Sequence, residues 1–315
     1  MRKTKRKKKY LRKSRKNNKR ITKKRRRRSL KRRKRMSGGV GDEERGRSSL
    51  RGESGRIRDR SPEKATIPIR DGMYRGYIDS NGRPHGEGIM FYKNKNIYDG
   101  EFRNGKPDGI GHLKSRDYHY HGDFKDGKPD GDGTTLYNNG DTHAGKYKNG
   151  IEHGNGYFKS GDGSSYSGNY VNGEREGDGE AYYTDGSKYD GEWKKGMRNG
   201  YGEYETVNGI SHSGLWRNDN RNGYGVQEYL DGSQYEGEWE NDKRHGRGVL
   251  RHADGSVMHG EWKEDKKHGY AIKEFPSGHP NHKTHYVRGI FNNGQASNAI
   301  LVERVRDIAG GRKKK

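Results

Sequence analysis

Residues 189–202 read Tyr189-Asp190-Gly191-Glu192-Trp193-Lys194-Lys195-Gly196-Met197-Arg198-Asn199-Gly200-Tyr201-Gly202, and this stretch decides the fold. Tyr189, Gly191 and Trp193 are two apart, so in an extended chain they share one face while Asp190 and Glu192 share the other. A short strand with one apolar face follows from that alternation. Gly196 marks a turn after it, and Gly200 and Gly202 open a second extended stretch in which another side chain or backbone comes close. Asp185-Gly186 closes the preceding segment in the same way. The stretch therefore reads as one β-hairpin.

The hairpin recurs along the chain. Aligned segments begin at Tyr74, Tyr98, Tyr120, His143, Tyr166, Tyr189, His212, Tyr235 and Met258, spaced by 24, 22 and then six times 23 residues. A degraded tenth copy lies around Tyr286 to Gly294. The Gly-x-Gly pair recurs with the same period from Gly86 and Gly88 onward, and only the ninth copy breaks it, with Ala271. Asn104-Gly105, Asp126-Gly127 and Asn149-Gly150 suit the positive-φ turn inside each hairpin, and Asn139-Gly140, Asp185-Gly186, Asp231-Gly232 and Asp254-Gly255 the turn between hairpins. A single hairpin is marginal in water, so the copies must stack, aromatics of one covering glycines of the next. Nine pairs of strands at about 4.8 Å span roughly 85 Å.

Composition agrees once it is divided by position. The chain has 315 residues, 68 basic against 43 acidic, and a net charge of +25. Residues 1–35 hold 24 basic and no acidic residues, residues 36–64 hold 7 and 6, and the rest holds 37 of each. The charge is thus a tail property, not that of a basic folded domain. Apolar residues are only 25%, which alone suggests disorder, yet 45 of the 51 glycines and 21 of the 22 tyrosines follow Lys64. An aromatic, glycine-rich body needs a thin packed sheet. With no cysteine there are no disulfides, thiolate metal sites or cysteine nucleophiles. No apolar run approaches the roughly 18 residues that cross a membrane, and the charged N-terminus lacks the apolar core of a secretory signal.

At these residues the chain resembles the MORN repeat family, whose signature is a Tyr-x-Gly-x-Trp or Phe strand, then Gly, then a Gly-x-Gly pair, every 23 residues. The match runs from about Tyr74 to Gly294, with His143, His212 and Met258 in place of the leading Tyr and one extra residue between Gly76 and Gly82. The resemblance implies scaffolding, dimerisation or lipid-headgroup contact, often in cytoskeletal, flagellar or membrane-apposed assemblies. The expected fold is all-β: an elongated, twisted antiparallel β-meander of about nine to ten stacked hairpins, with a disordered basic N-terminal tail and a short C-terminal capping helix. The expected divisions are a tail over 1–41, a flexible linker over 42–70, the meander over 71–295 and a capping segment with a short basic tail over 296–315. Ile300, Leu301, Val305 and Ile308, at near-helical spacing, would form the helix and cover the last sheet edge.

Three residue sets carry the expected roles. Lys7, Lys8, Lys9, Arg25, Arg26, Arg27, Arg28, Arg32, Arg33, Lys34 and Arg35 would bind a polyanion, either anionic lipid or nucleic acid, with a nuclear import address as the third reading. Tyr98, Phe102, Tyr120, Phe124, Tyr166, Tyr170, Tyr189, Trp193, Trp216, Tyr235, Trp239 and Trp262 form an aromatic ladder, and the groove along it or the ends of the meander would engage a partner protein or a second copy. Gly109, Gly111, Gly131, Gly133, Gly154, Gly156, Gly177, Gly179, Gly200, Gly202, Gly223, Gly225, Gly246 and Gly248 are the repeat glycines.

Enzyme motifs fall to the periodicity. Gly100 to Lys106 and Gly122 to Lys128 imitate a phosphate loop but end in Pro107 and Pro129, and both are the hairpin turn. Gly140 to Lys146 ends in Tyr147. Asn218, Asn220 and Asn222 imitate a calcium loop, with Tyr229 where the bidentate Glu belongs. His85, His153, His245 and His268 share one repeat slot and do not converge as zinc ligands, and Glu101 and Asp123 read as a solvated face. The expectation is a non-catalytic scaffold without a cofactor or small-molecule substrate, intracellular in the cytoplasm, at the cytoskeleton or against a membrane, or nuclear. The alternative is a nucleic-acid-associated or virion-packaged protein, since the basic opening closed by Gly38-Gly39 resembles leaders of large DNA virus proteins.

Overall fold

The computed structural model describes residues 63–276, 278, 286–296 and 300–302, all within the 60–315 unit of the chain. They form 22 strands of one antiparallel sheet. From Glu63–Ile69 to Tyr286–Asn292 every strand pairs with the strands before and after it in sequence, so the sheet is an unbroken meander. Because only adjacent antiparallel strands are joined its connections are short, apart from residues 275–285 between Lys266–Glu274 and Tyr286–Asn292.

The hairpin of Lys188–Lys194 and Met197–Glu205 shows how the repeat is built. Tyr189 lies opposite Tyr204 and Gly191 opposite Gly202, after which the next pair is Trp193 with Arg198. Glu192 thus faces Asn199, Gly200 and Tyr201 together, which is a bulge, and the chain turns there through Gly200 at φ 80°. Gly202 has a different reason to lack a side chain. A Cβ on it would lie 2.2 Å from the Tyr189 hydroxyl oxygen and 2.4 Å from its ring. The two glycines of the motif therefore answer separate constraints, one of backbone conformation and one of close approach.

The turn inside each hairpin from the second copy on needs two positive-φ residues, as a two-residue type I′ connection does, whereas the first copy bends over 79–83 with Gly82 alone at positive φ. Asn104 and Gly105 supply φ of 50° and 83°, whereas the seventh copy uses Asn218 and Asp219 at 47° and 67°. Between hairpins, Asp185 Oδ1 accepts from the Ser187 backbone at 2.9 Å and its hydroxyl at 2.6 Å, and Asp231 with Ser233 and Asp254 with Ser256 repeat this. These bonds, with the Ser187 hydroxyl first, hold the Asp185 carboxyl below the usual carboxylate range.

The structure changes three expectations. Glu63–Ile69, assigned to the linker, is a strand paired with Gly72–Ile78, and Ile67 and Ile69 pack against the first aromatic cluster. An end of the ladder needs an apolar lid, which this strand provides. The expected C-terminal helix is absent where it is described: Ile300–Val302 is a strand lying along Tyr286–Arg288, preceded by Gln295–Ala296 on Phe291–Asn292. A strand satisfies the last edge's backbone groups directly, which an amphipathic helix cannot. Residues 303–315 and 1–62 lie outside the described residues. Finally, the leading tyrosine covers glycines of its own hairpin, and it is the second aromatic that approaches a glycine of the preceding copy, as Tyr170 does Gly156.

Candidate functional site

The expected aromatic ladder forms as one row, and its position decides its role. Tyr98, Tyr189 and Tyr235 are 0% exposed, and Phe102, Tyr120, Phe124, Tyr166, Tyr170, Trp193, Trp216, Trp239 and Trp262 are all buried. Successive rings meet edge to face, for example Tyr189 with Trp193 at 5.2 Å and with Trp216 at 5.4 Å. That arrangement sets the positive ring edge against the negative face of the next. Each leading tyrosine donates its hydroxyl to the carbonyl three residues on, Tyr189 to Glu192 at 3.0 Å and Tyr98 to Glu101 at 2.9 Å. Burial pushes the hydroxyls of Tyr74 and Tyr166 up to about 12. The ladder is thus the core of the sheet, and it is not an open groove for a partner.

The second aromatic carries a polar handle where it is Trp. Trp193 and Trp216 donate their indole N–H to the carbonyls of Gly179 and Gly202, at 3.1 and 3.2 Å. This ties the sixth and seventh copies to the ones before them, whereas the indole N–H groups of Trp239 and Trp262 are buried without a protein partner.

Sequence reading missed a second row beside the ladder. The guanidinium groups of Arg175, Arg198, Arg221 and Arg244 lie over Trp193, Trp216, Trp239 and Trp262 at 4.1 to 4.3 Å. Arg198 also forks onto Asp219, its Nε 3.1 Å from Oδ1 and its Nη2 donating to the Asp219 carbonyl at 2.7 Å. Arg221 with Asp242 and Arg244 with Asp265 repeat the pattern. The carboxylate partners are the turn residues that replace Gly105 of the second copy, so losing the turn glycine and gaining an Arg partner are one change. Arg175 shows the converse: Gly196 fills the slot, and Arg175 Nη2 donates to its carbonyl at 2.6 Å. Where the second aromatic is Phe124 or Tyr147, the Arg slot holds Pro107 or Pro129. The signal was available as Arg and Asp recurring every 23 residues.

A lysine cannot fork, and it meets the ring as a point charge. Arg221→Lys is therefore expected to lower stability by about 1–2 kcal/mol, combining a weakened cation–π contact with a lost charge-assisted hydrogen bond. Chemical denaturation measures it, and Lys128→Arg at an exposed position on the same sheet is the control, with no change expected.

The opposite face contains the paired carboxylates, and they are structural. Glu101 Oε1 accepts from the Ile110 backbone at 3.3 Å, Asp123 Oδ2 from Asp132 at 2.8 Å, and Glu192 Oε1 from Tyr201 at 3.1 Å. Each closes the backbone N–H that its bulge leaves unpaired. The phosphate-loop and calcium-loop imitations fall on hairpin turns, at Gly105, Gly127 and Asn218-Asp219. Among the described residues no group of three or more His, Asp or Glu side chains is arranged to hold a metal, and no helix is long and apolar enough to cross a membrane. The polyanion-binding set, Lys7 to Arg35, lies outside the described residues.

The structure is similar to the TCP10 domain of Danio rerio CPAP, at 14% identity over 62% of this chain and 94% of that one, with a TM-score of 0.36. It is similar to the TCP10c domain of Drosophila melanogaster Sas-4, at 14% identity over 64% and 100%, with a TM-score of 0.27. A streptogramin B lyase aligns at 14% identity over 79% and 86%, with a TM-score of 0.15. No curated protein matches the chain. The MORN repeat model matches nine consecutive segments, 80–97, 98–119, 120–142, 143–165, 166–188, 189–211, 212–234, 235–257 and 259–279. With the repeat matched over most of its length and the hairpin, bulge and ladder present in copy after copy, this chain belongs to the MORN repeat family.

Proposed function

We propose that this protein is a non-catalytic MORN-repeat scaffold that binds a partner protein or a second copy of itself, while residues 1–35 tether it to a polyanion, anionic lipid or nucleic acid. The observation that carries the reading is where the apolar surface remains. The ladder aromatics are spent on the core, so partner contact falls on the other face and the loops between hairpins. There Ile110 and Leu136 are 57% and 50% exposed, and the loop residues Val207 and Leu230 are 79% and 60% exposed. Side chains of that kind supply contact area that single polar loops do not. Changing Val207 and Leu230 together to Asp is expected to weaken partner or self association at least tenfold, with an unchanged circular dichroism spectrum. Sedimentation of the purified chain reads self association, and an unchanged mass distribution, together with unchanged partner capture, sinks the loop assignment.

The tether is tested by salt. A tail making 6–10 phosphate contacts loses on the order of 10³–10⁵ in affinity for duplex DNA between 50 and 200 mM salt. The full chain is expected to show that slope and a chain beginning at Glu63 to lose it, with anionic liposomes as the second ligand. Equal binding by both forms removes the tether from the proposal, and sedimentation of the shortened form with phosphoinositide liposomes transfers lipid contact to the repeats.

A further inference from the structure

The aromatic row is continuous, but its apolar core divides into three clusters: Tyr74 to Tyr147, Tyr166 to Trp216, and Tyr235 to Trp262. A histidine stands at each boundary. His143 is edge-on between Tyr147 and Tyr170, at 5.2 and 5.0 Å, and His212 between Trp216 and Trp239, at 5.4 and 5.2 Å. Both occupy the slot of the leading tyrosine and both are 2% exposed.

The two are partnered differently. An imidazole is shorter than a phenol and does not reach the carbonyl that a leading tyrosine binds. His143 compensates on one nitrogen, its Nδ1 lying 2.8 Å from the Tyr147 hydroxyl, which is itself 2.6 Å from Thr135 Oγ1, while its Nε2 has no protein partner. His212 has no protein partner on either ring nitrogen. Gln227, opposite His212 on the next strand, accepts from Arg221 at 2.9 Å and donates to the Glu228 carbonyl at 3.1 Å.

The surroundings offer an imidazolium no carboxylate of its own, since Asp242, the one that favours it, is already paired with Arg221. On the preceding strand, Tyr204 is opposite His212, and Arg198 covers Trp216 with Asp219 as its partner. On the following strand Arg221 is forked onto Asp242 and covers Trp239. The nearest cation is thus repulsive and the carboxylates are occupied. Burial first, and Arg221 second, hold the His212 imidazole down to about 3, against the opposing pull of Asp242 and the Gln227 side chain. Around His143, burial also depresses the value, but Glu152 opposes it.

We propose that the junction at His212, between the hairpin Ser211–Arg217 with Asn220–Glu228 and the strand Gln234–Glu240, is a seam that acid opens while the sheet on either side stays folded. Repeat arrays permit this because each copy touches only its neighbours, so one junction can part without the rest. In the opened form the imidazole regains its ordinary value near 6.5. The opened form then binds more protons than the closed one, so closure is fully favoured above about 6.5 and loses ground as pH falls from there towards 3. Between pH 7.5 and 5 the opening equilibrium rises about 30-fold.

Amide hydrogen exchange on the full chain, corrected for the intrinsic rate at each pH, tests the seam. Protection in residues 211–240 is expected to fall about 30-fold between pH 7.5 and 5, while residues 98–124 keep theirs. His212→Tyr restores the leading tyrosine beside Gly214 and Gly225 and is expected to abolish the fall, whereas His143→Tyr leaves it. Loss spread evenly along the sheet, or loss that survives in His212→Tyr, overturns the proposal. If His212→Tyr does not fold, the ring titration of His212 in the unaltered protein decides: a folded-state midpoint near 6.5 overturns the seam, and a ring that stays neutral to pH 5 in the closed form supports it.

Discussion

Gly202→Ala is expected to lower stability by about 3 kcal/mol, the upper part of the range for overpacking a filled site. The added methyl would sit 2.2 Å from the Tyr189 hydroxyl and 2.4 Å from its ring, and the ring is 0% exposed with no space to retreat into. The chain contains its own rescue. In the ninth copy Ala271 fills the Gly202 slot opposite Gly260, and there Met258 replaces the leading tyrosine. A flexible, unbranched side chain leaves room for the methyl where a rigid ring does not. Tyr189→Met with Gly202→Ala is therefore expected to cost at least 1 kcal/mol less than the two single changes summed. A double-mutant cycle by denaturant unfolding measures the coupling. Additive single effects, or an unperturbed Gly202→Ala protein, would show that the ring does not dictate the glycine.

Trp216→Ala should cost about 3–5 kcal/mol, as for other buried aromatics. Its indole meets Tyr189 and His212 edge-on at 5.4 Å each, donates to the Gly202 carbonyl at 3.2 Å and carries Arg198 at 4.3 Å. Removing it leaves the sixth and seventh copies joined by backbone bonds and the partly exposed Arg198–Asp219 fork. Because coupling is between neighbours, the loss of exchange protection is expected to centre on residues 188–228 and to spare 98–124. The companion change Arg198→Ala should couple to it by about 1 kcal/mol, since the guanidinium loses its nearest ring and keeps only the more distant Tyr189 and Tyr204, at 5.7 and 5.6 Å. If Trp216→Ala unfolds the entire sheet in one step, the ladder acts as a single unit and nearest-neighbour stacking is wrong.

The hairpin was legible because its signals are local. Alternation of Tyr189, Gly191 and Trp193, with a turn residue at Gly196, needs no knowledge of distant contacts to place a strand, and the period then multiplies one inference by nine. Partner-dependent features were not legible in the same way. Ile300 to Val302 carries an apolar spacing that suits a helix, yet the last edge of the sheet supplies unpaired backbone groups, and pairing with Tyr286 to Arg288 takes precedence. Glu63–Ile69 reads as linker because its neighbours in sequence are polar, and becomes a strand because Tyr74 and its cluster need an apolar cover.

The amino-acid sequence by itself determined that the body is a meander of hairpins, where its turns fall, and that the charge of +25 belongs to a tail and not to the repeats. The alternation also marks the apolar face of each strand, but only the tertiary structure showed that the aromatic row on that face is covered along its length and leaves no open groove for a partner. It also separated the two repeat glycines into a bulge residue and a contact residue, and brought Arg198 onto Trp216 and Asp219. The physical reason is reach. A period of 23 residues fixes what lies beside what along the chain, whereas burial and ion pairing depend on side chains of different copies meeting across the sheet.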